Sequence, residues 1–151
     1  MFDKWDHRFM EMARLVSGGA SCHRRRVGAV IVKDKRVMTT GYNGAPAGIK
    51  TCVERGECLR QKMGIPSGQR HELCYAVHAE QNAIIQAAKL GISISGATLY
   101  CTHQPCILCA KMIVNSGITR VVYGEGYPDA FALEIFEEAG VRVERYTGRE
   151  E

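Results

Sequence analysis

Residues 97–124 read ATLYCTHQPCILCAKMIVNSGITRVVYG. Residues 97–103 form a mostly apolar run with β-branched and aromatic members, which predicts a strand. Pro105 then opens a predicted helix over 105–116, where its missing N–H is no loss, and Gly117 follows the helix end. Residues 119–124 return to a strand pattern. A strand, a helix and a strand in direct succession make two parallel neighbours, because the helix carries the chain back along the sheet.

The pattern extends outward in both directions. Downstream, a helix over 130–139 stops at Gly140, and a last strand covers 141–146. Upstream, a helix over 78–90 ends at Gly91. Nearer the N-terminus, 27–33 and 36–42 are strands joined by the turn Asp34-Lys35, which predicts a hairpin. Residues 3–17 place Trp5, Phe9, Met12, Ala13 and Val16 at helical spacing, and Gly18-Gly19 ends that segment. The fold class is therefore α/β, with helices on both faces of a mixed five-stranded sheet. One domain over 1–151 is expected, with a frayed tail at 148–151.

The chain has 151 residues, enough for one substantial core. Its N-terminus interleaves charges and lacks a signal-peptide pattern, and no apolar run approaches the roughly 20 residues of a membrane helix. A soluble cytoplasmic protein is expected. The net charge of +4 is modest, and Arg24-Arg25-Arg26 is its main basic tract. A nucleic-acid binder more often carries a broader basic face, so none is expected as a partner, while a small anion suits the Arg tract. Seven cysteines without an export signal, and in odd number, argue for metal ligation over disulfides.

The chemistry concentrates in two short motifs, His78-Ala79-Glu80 and Pro105-Cys106-Ile107-Leu108-Cys109. Cys106 and Cys109 stand three apart at a helix start, so their sulfurs share one side. The helix N-terminus favours the thiolates that bind metal. With the His78 nitrogen they make a three-ligand zinc site that leaves a fourth position for water. Glu80, in the first turn of its helix, is free to move protons beside the ion.

The pairing of His-x-Glu with Pro-Cys-x-x-Cys resembles the cytidine and deoxycytidylate deaminase superfamily. The segments Val27-Gly28-Ala29-Val30-Ile31-Val32, Gly41-Tyr42-Asn43-Gly44-Ala45-Pro46 and His78-Ala79-Glu80-Gln81-Asn82-Ala83 extend the likeness, which runs from about Trp5 to Tyr146. The Gly-Tyr-Asn-Gly segment and the Cys-rich insertion point to the deoxycytidylate (dCMP) branch. That resemblance implies a three-layer α-β-α fold and a hydrolase converting dCMP to dUMP and ammonia, a precursor supply for thymidylate synthesis. It also implies that Glu80 is the proton shuttle, that Asn43 contacts the sugar, that the Ala79 N–H faces the base, and that Tyr127 covers the pocket. Ser21, Arg24 and Arg26 are the candidates for the 5′-phosphate, since a guanidinium fork donates paired hydrogen bonds. Members of the branch are commonly homo-oligomers activated by dCTP and inhibited by dTTP, which would place an effector pocket near Gly41, Tyr42 and Gly44.

Residues 43–75, rich in Gly, Pro, Cys and charge, are too long for an untethered loop inside a compact domain. Cys22, Cys52, His71 and Cys74 are the expected ligands of a second, structural zinc that pins this insertion, with Cys58 as an alternative. Cys101, within a strand, is expected in the core. Rival readings are a tRNA adenosine deaminase, a nucleoside or guanine deaminase, and a silent zinc-binding module. Glu80 argues against the last, because a structural site has no use for it.

Overall fold

The strand–helix–strand unit at 97–124 forms as its pattern requires. The structure, a computed structural model, describes residues 2–126 and 129–148. Five strands, β1 (Gly28–Lys33), β2 (Arg36–Tyr42), β3 (Thr98–His103), β4 (Arg120–Glu125) and β5 (Arg142–Arg145), make one sheet in the order β2-β1-β3-β4-β5. β1 is antiparallel to β2 and β3, whereas β3, β4 and β5 run parallel. The sheet is thus mixed, with the hairpin and the crossovers where the pattern put them. The helices are α1 (Lys4–Ser17), α2 (Cys52–Arg55), α3 (Leu59–Lys62), α4 (Ala79–Leu90), α5 (Ile107–Asn115) and α6 (Ala130–Glu138). α1 covers one sheet face, and α4, α5 and α6 cover the other, giving three layers.

The strand period of two sorts the core. Ala29, Ile31, Leu99, Cys101 and Val121 face α4, α5 and α6, meeting Ala83, Ile113 and Phe136. Val30, Val32, Tyr100 and Val122 face α1, meeting Phe9, Met10 and Ala13. β1 and β3 are central and covered on both faces, which is why they read as nearly continuous apolar runs. Met10 fills this core and Met12 stays exposed, the reverse of the spacing argument. The apolar stripe of α1 is centred on Phe9 and Ala13, and the Met10 edge of it, with Asp6, turns toward the sheet.

Two glycines set how closely the layers approach. A Cβ at Gly28 would lie 2.6 Å from the Ser17 nitrogen on α1, and one at Gly41 would lie 2.6 Å from the Ala83 nitrogen on α4. Helix ends follow their caps. Asp3 accepts from the Trp5 and Asp6 N–H groups at 2.9 Å, and Asp6 accepts from the Asp3 N–H at 3.0 Å. Between layers, Arg120 on β4 donates to Asp6 at 2.8 Å and to Glu144 on β5 at 2.7 Å, while the Tyr100 hydroxyl donates to Asp6 at 2.7 Å. Burial alone would raise the Asp6 carboxyl, but these bonds outweigh it and hold it below the usual carboxylate range.

The 43–75 insertion is not a bare loop. It contains the single turns α2 and α3 and a 3₁₀ turn at His71–Leu73, and an antiparallel bridge pairs Gly44 with Val77 at its ends. Thr51 caps α2 by accepting from the Glu54 N–H at 3.1 Å. Among the described residues, no helix is long and apolar enough to cross a membrane.

Candidate active site

α4 and α5 point their N-termini into one cavity, and each begins at a metal-binding side chain. His78 is the N-cap of α4 and Cys106 the N-cap of α5. Pro105 therefore sits just before the cap, one step earlier than expected, and it is fully buried. The Gln81 side chain accepts from the His78 N–H at 3.0 Å, which fixes the backbone of the ligand. Asp129 ties the start of α5 to that of α6: one carboxylate oxygen accepts from the Ile107 N–H at 2.7 Å and the other from the Ala132 N–H at 3.0 Å.

His78 Nδ1 stands 3.3 Å from Cys109 Sγ and 3.6 Å from Cys106 Sγ. All three ligand atoms lie within 4.8 Å of one another. One imidazole nitrogen and two sulfurs at this spacing suit zinc with one position left open. The hydrogen bond from the Cys109 thiol, with help from His78, pulls Cys106 down to about 3, and the same bond holds the Cys109 proton on. Cys106 is thus the thiol of the pair that gives up its proton more readily. Burial would lower His78, but its bond to Cys106 and the charge of Glu80 win, leaving it raised.

Glu80 is in the first turn of α4 and 5% exposed. Burial pushes its carboxyl up from the usual range. Its side chain lies against the thiols of Cys109 and Cys101. Cys101 is buried as expected, and it also forms the floor under this carboxyl, which strand periodicity could not show.

The cavity occupies about 650 Å³ counting its open mouth, and its walls include Asn43, Ala79, Arg24, Arg25 and Arg60 beside His78, Glu80 and Cys106. Three arginines and one acidic residue, Glu80, line it. Asn43 is buried and serves as a brace: it accepts from the Val27 N–H at 2.8 Å and donates to the Arg25 carbonyl at 2.9 Å. One N–H and one lone pair of the amide remain for a ligand.

Several expected positions fall elsewhere. Arg26 is exposed and Ser21 lies off the cavity wall, where its N–H donates to the Asn43 carbonyl at 3.2 Å. Arg24 and Arg25 both line the cavity while Arg26 is exposed, so the segment departs from the simple alternation that would put Arg24 and Arg26 on one side. The His71 carbonyl accepts from the Cys74 N–H at 3.0 Å. Its ring packs edge-on against His78, centroids 4.7 Å apart, on the wall of the main cavity. The Cys52 thiol, raised first by burial, is raised further by Cys74, Cys22 and Cys58, which puts the alternative ligand Cys58 in the same cluster. Among the described residues, only His78, Cys106 and Cys109 come within 4.8 Å as a set of three. Gly41 has a packing reason in its contact with α4. Tyr42 is partly exposed, with its carbonyl accepting from Asn82 at 2.8 Å, and Gly44 carries the bridge to Val77. Tyr127 lies outside the described residues.

Sequence reasoning missed Arg25, Arg60, His103 and Gln104 on the cavity wall. His103 and Gln104 directly precede Pro105-Cys106, and that adjacency was a usable signal. Arg60 had none, since a single-turn helix inside an insertion leaves no periodicity to read.

The family model for the cytidine and deoxycytidylate deaminase zinc-binding region matches residues 3–125. The chain is 44% identical over 124 residues to the deoxycytidylate deaminase of Mycobacterium phage D29, covering 79% of this chain and 93% of the phage protein. It is 39% identical over 143 residues to the deoxycytidylate deaminase of Schizosaccharomyces pombe, covering 94% of this chain but only 44% of that relative's length. Its fold matches the crystal structure of dCMP deaminase from the cyanophage S-TIM5 in complex with dCMP and dUMP, with a TM-score of 0.81, 33% identity, and coverage of 97% and 99% of the two chains. With its ligand triad at helix N-termini and a buried Glu80 beside them, the chain belongs to the cytidine and deoxycytidylate deaminase family.

Proposed function

We propose that this chain is a hydrolase that deaminates dCMP to dUMP and ammonia, supplying dUMP for thymidylate synthesis. The observation that carries this reading is the sharing of one cavity by the His78, Cys106 and Cys109 triad, the buried Glu80 and the inward-facing Arg24.

His78, Cys106 and Cys109 would hold Zn²⁺, which when bound makes water acidic enough to act near neutral pH. Glu80 takes a proton from that water and delivers it to a ring nitrogen of the base. The hydroxide that remains adds at the amino-bearing carbon. Glu80 then takes the second proton from the new hydroxyl and hands it to the amino nitrogen, and as the carbon–oxygen double bond forms the carbon–nitrogen bond breaks and ammonia leaves. Burial supports this role, because a carboxyl with a raised proton affinity both accepts and donates readily. The Ala79 N–H at the start of α4 faces the base, and the free valences of Asn43 face the sugar. Arg24 receives the 5′-phosphate.

The insertion cysteines Cys22, Cys52, Cys58 and Cys74 would hold a second, structural zinc. Four thiols suit that ion, although in this structure no three of their sulfurs lie within 4.8 Å of one another, so binding would draw them in. Zinc near two per chain supports this site, and one per chain overturns it. The seven free cysteines suit a reducing cytoplasm. Assembly as a homo-oligomer with dCTP and dTTP as effectors near Tyr42 follows from the resemblance to the dCMP branch.

The test is ammonia release from dCMP, deoxycytidine and an adenosine-bearing tRNA, each with zinc-loaded protein. Turnover of dCMP far above the other two supports the reading. Turnover of deoxycytidine or tRNA alone overturns it.

A further inference from the structure

Two buried guanidinium donors on the cavity wall have no partner among the described residues. One is Nη1 of Arg24 and the other is Nε of Arg60. Arg60 is 7% exposed, and it reaches the cavity from α3 in the middle of the insertion. Each arginine is otherwise anchored. Arg24 Nη2 donates to the Ile65 carbonyl at 2.6 Å, and Arg60 Nη1 donates to the Gln69 carbonyl at 2.9 Å. One side of each group is therefore fixed by the insertion, and the other is left without an acceptor. Burying a charged donor unmet is unfavourable, and an oxyanion bound in the cavity that both residues line would offer acceptors to them.

The two arginines also share a scaffold. Arg24 follows Cys22 by two residues, and Arg60 follows Cys58 by two residues. Both cysteines are close enough to act electrostatically on the Cys52 thiol. The Arg24 N–H donates to Cys22 Sγ at 3.4 Å. Two Cys-x-Arg turns thus converge on one cysteine cluster, and each sends its arginine into the cavity that holds His78 and Glu80.

We propose that Arg60 is a specificity-determining residue that, together with Arg24, grips the phosphomonoester of the substrate, and that the insertion exists to deliver it. This rests on the reading of the site as a nucleotide deaminase. The planar guanidinium suits a phosphate with several oxygens, and paired bonds from two walls separate a nucleoside monophosphate from a nucleoside. The cysteine cluster acts by placing both arginines.

The test compares kcat/KM for dCMP and for deoxycytidine in the zinc-loaded full chain, for the unaltered protein, Arg60→Met and Arg60→Lys. Arg60→Met is expected to reduce kcat/KM for dCMP by about a hundredfold, mostly through KM, the size of losing charge-assisted bonds to a substrate. The preference for dCMP over deoxycytidine should fall by at least about tenfold, and Arg60→Lys should recover little of it, because an ammonium lacks the fork. Inorganic phosphate should compete with dCMP in the unaltered protein and much less in Arg60→Lys. Equal losses for both substrates with an unchanged preference would overturn the proposal and leave Arg60 a structural residue. If Arg60→Met fails to fold, phosphate competition in Arg60→Lys decides: undiminished competition overturns the proposal. The underlying reading fails in a different way, by the unaltered protein preferring deoxycytidine over dCMP.

Discussion

The amide of Asn43 closes on the backbone of Val27, with its oxygen accepting the Val27 N–H at 2.8 Å in a buried setting. Its nitrogen donates to the Arg25 carbonyl at 2.9 Å, so one side chain at the end of β2 holds the arginine segment against the sheet. Asn43→Ala leaves the Val27 N–H buried without a partner. A loss of about 1–3 kcal/mol in urea unfolding is expected, together with a higher KM for dCMP. Unchanged stability would mean that the segment finds another anchor.

Glu80→Gln keeps the shape of a buried side chain and removes its proton exchange. kcat should fall by about 10²–10⁴-fold, the usual contribution of a positioned acid–base group. Zinc content and melting temperature should stay close to those of the unaltered protein, since Glu80 is not one of the three ligands. A variant retaining more than a tenth of its turnover would remove Glu80 from the mechanism.

Loss of a zinc ligand should act differently. His78→Ala or Cys109→Ser is expected to lose bound zinc and activity together, with elemental analysis following turnover down. Prolonged chelation of the unaltered protein should do the same, and added zinc should restore it. Full activity in the chelated, zinc-depleted protein would exclude the triad as the working site.

Asp6 and Glu144 both flank Arg120, and its bonds hold both carboxyls below their usual range despite burial. A carboxyl lowered in the folded state adds stability that is fully present above its unfolded pKa and fades as pH falls through the folded one. Stability should therefore hold from neutral pH down to about pH 4–5, near the ordinary carboxylate values, and drop steeply below that. Arg120→Met strands the Asp6 charge. It should destabilise the fold by about 3–5 kcal/mol at pH 7 and flatten the acid dependence, as urea melts across a pH series would report. An equally steep acid loss in the variant would assign the transition to other groups.

Gly41→Ala places a Cβ against the Ala79 carbonyl and 2.6 Å from the Ala83 nitrogen, both backbone atoms of α4. The helix has to move away from β2, taking His78 and Glu80 with it. Overpacking of this kind costs about 1–3 kcal/mol, and zinc affinity and kcat should fall alongside the melting temperature. A drop in stability with unchanged zinc affinity would show that α4 shifts without disturbing its N-terminus.

The strands of the sheet, the helices that bury against it and the zinc triad were legible because each leaves a local mark. Val30 and Ile31 sit in an apolar run, Gly91 and Gly140 stop helices, and Cys106 and Cys109 lie three apart on a helix start. Boundaries moved by a residue or two where caps took over, as at His78 and Cys106. The insertion was legible only as a problem. α2 and α3 are one turn each, too short for any apolar period to emerge, so nothing in the order of residues said that Arg60 turns inward. His71 was grouped with the cysteines because it lies near Cys74 in sequence, yet the 3₁₀ turn aims its ring at His78.

What residue order alone determined is therefore whatever depends on neighbours within one helix turn or one strand: the α/β class, the mixed sheet and the chemistry of His78, Glu80, Cys106 and Cys109. What only the tertiary structure decided is which distant groups share a wall, namely that Arg24 and Arg60 meet the triad in one cavity while Arg26 faces water. Local spacing sets side-chain direction along an element. The direction of a loop residue is set by long-range packing and by the backbone groups it must satisfy, here Ile65 and Gln69, and these come together only once the chain has folded.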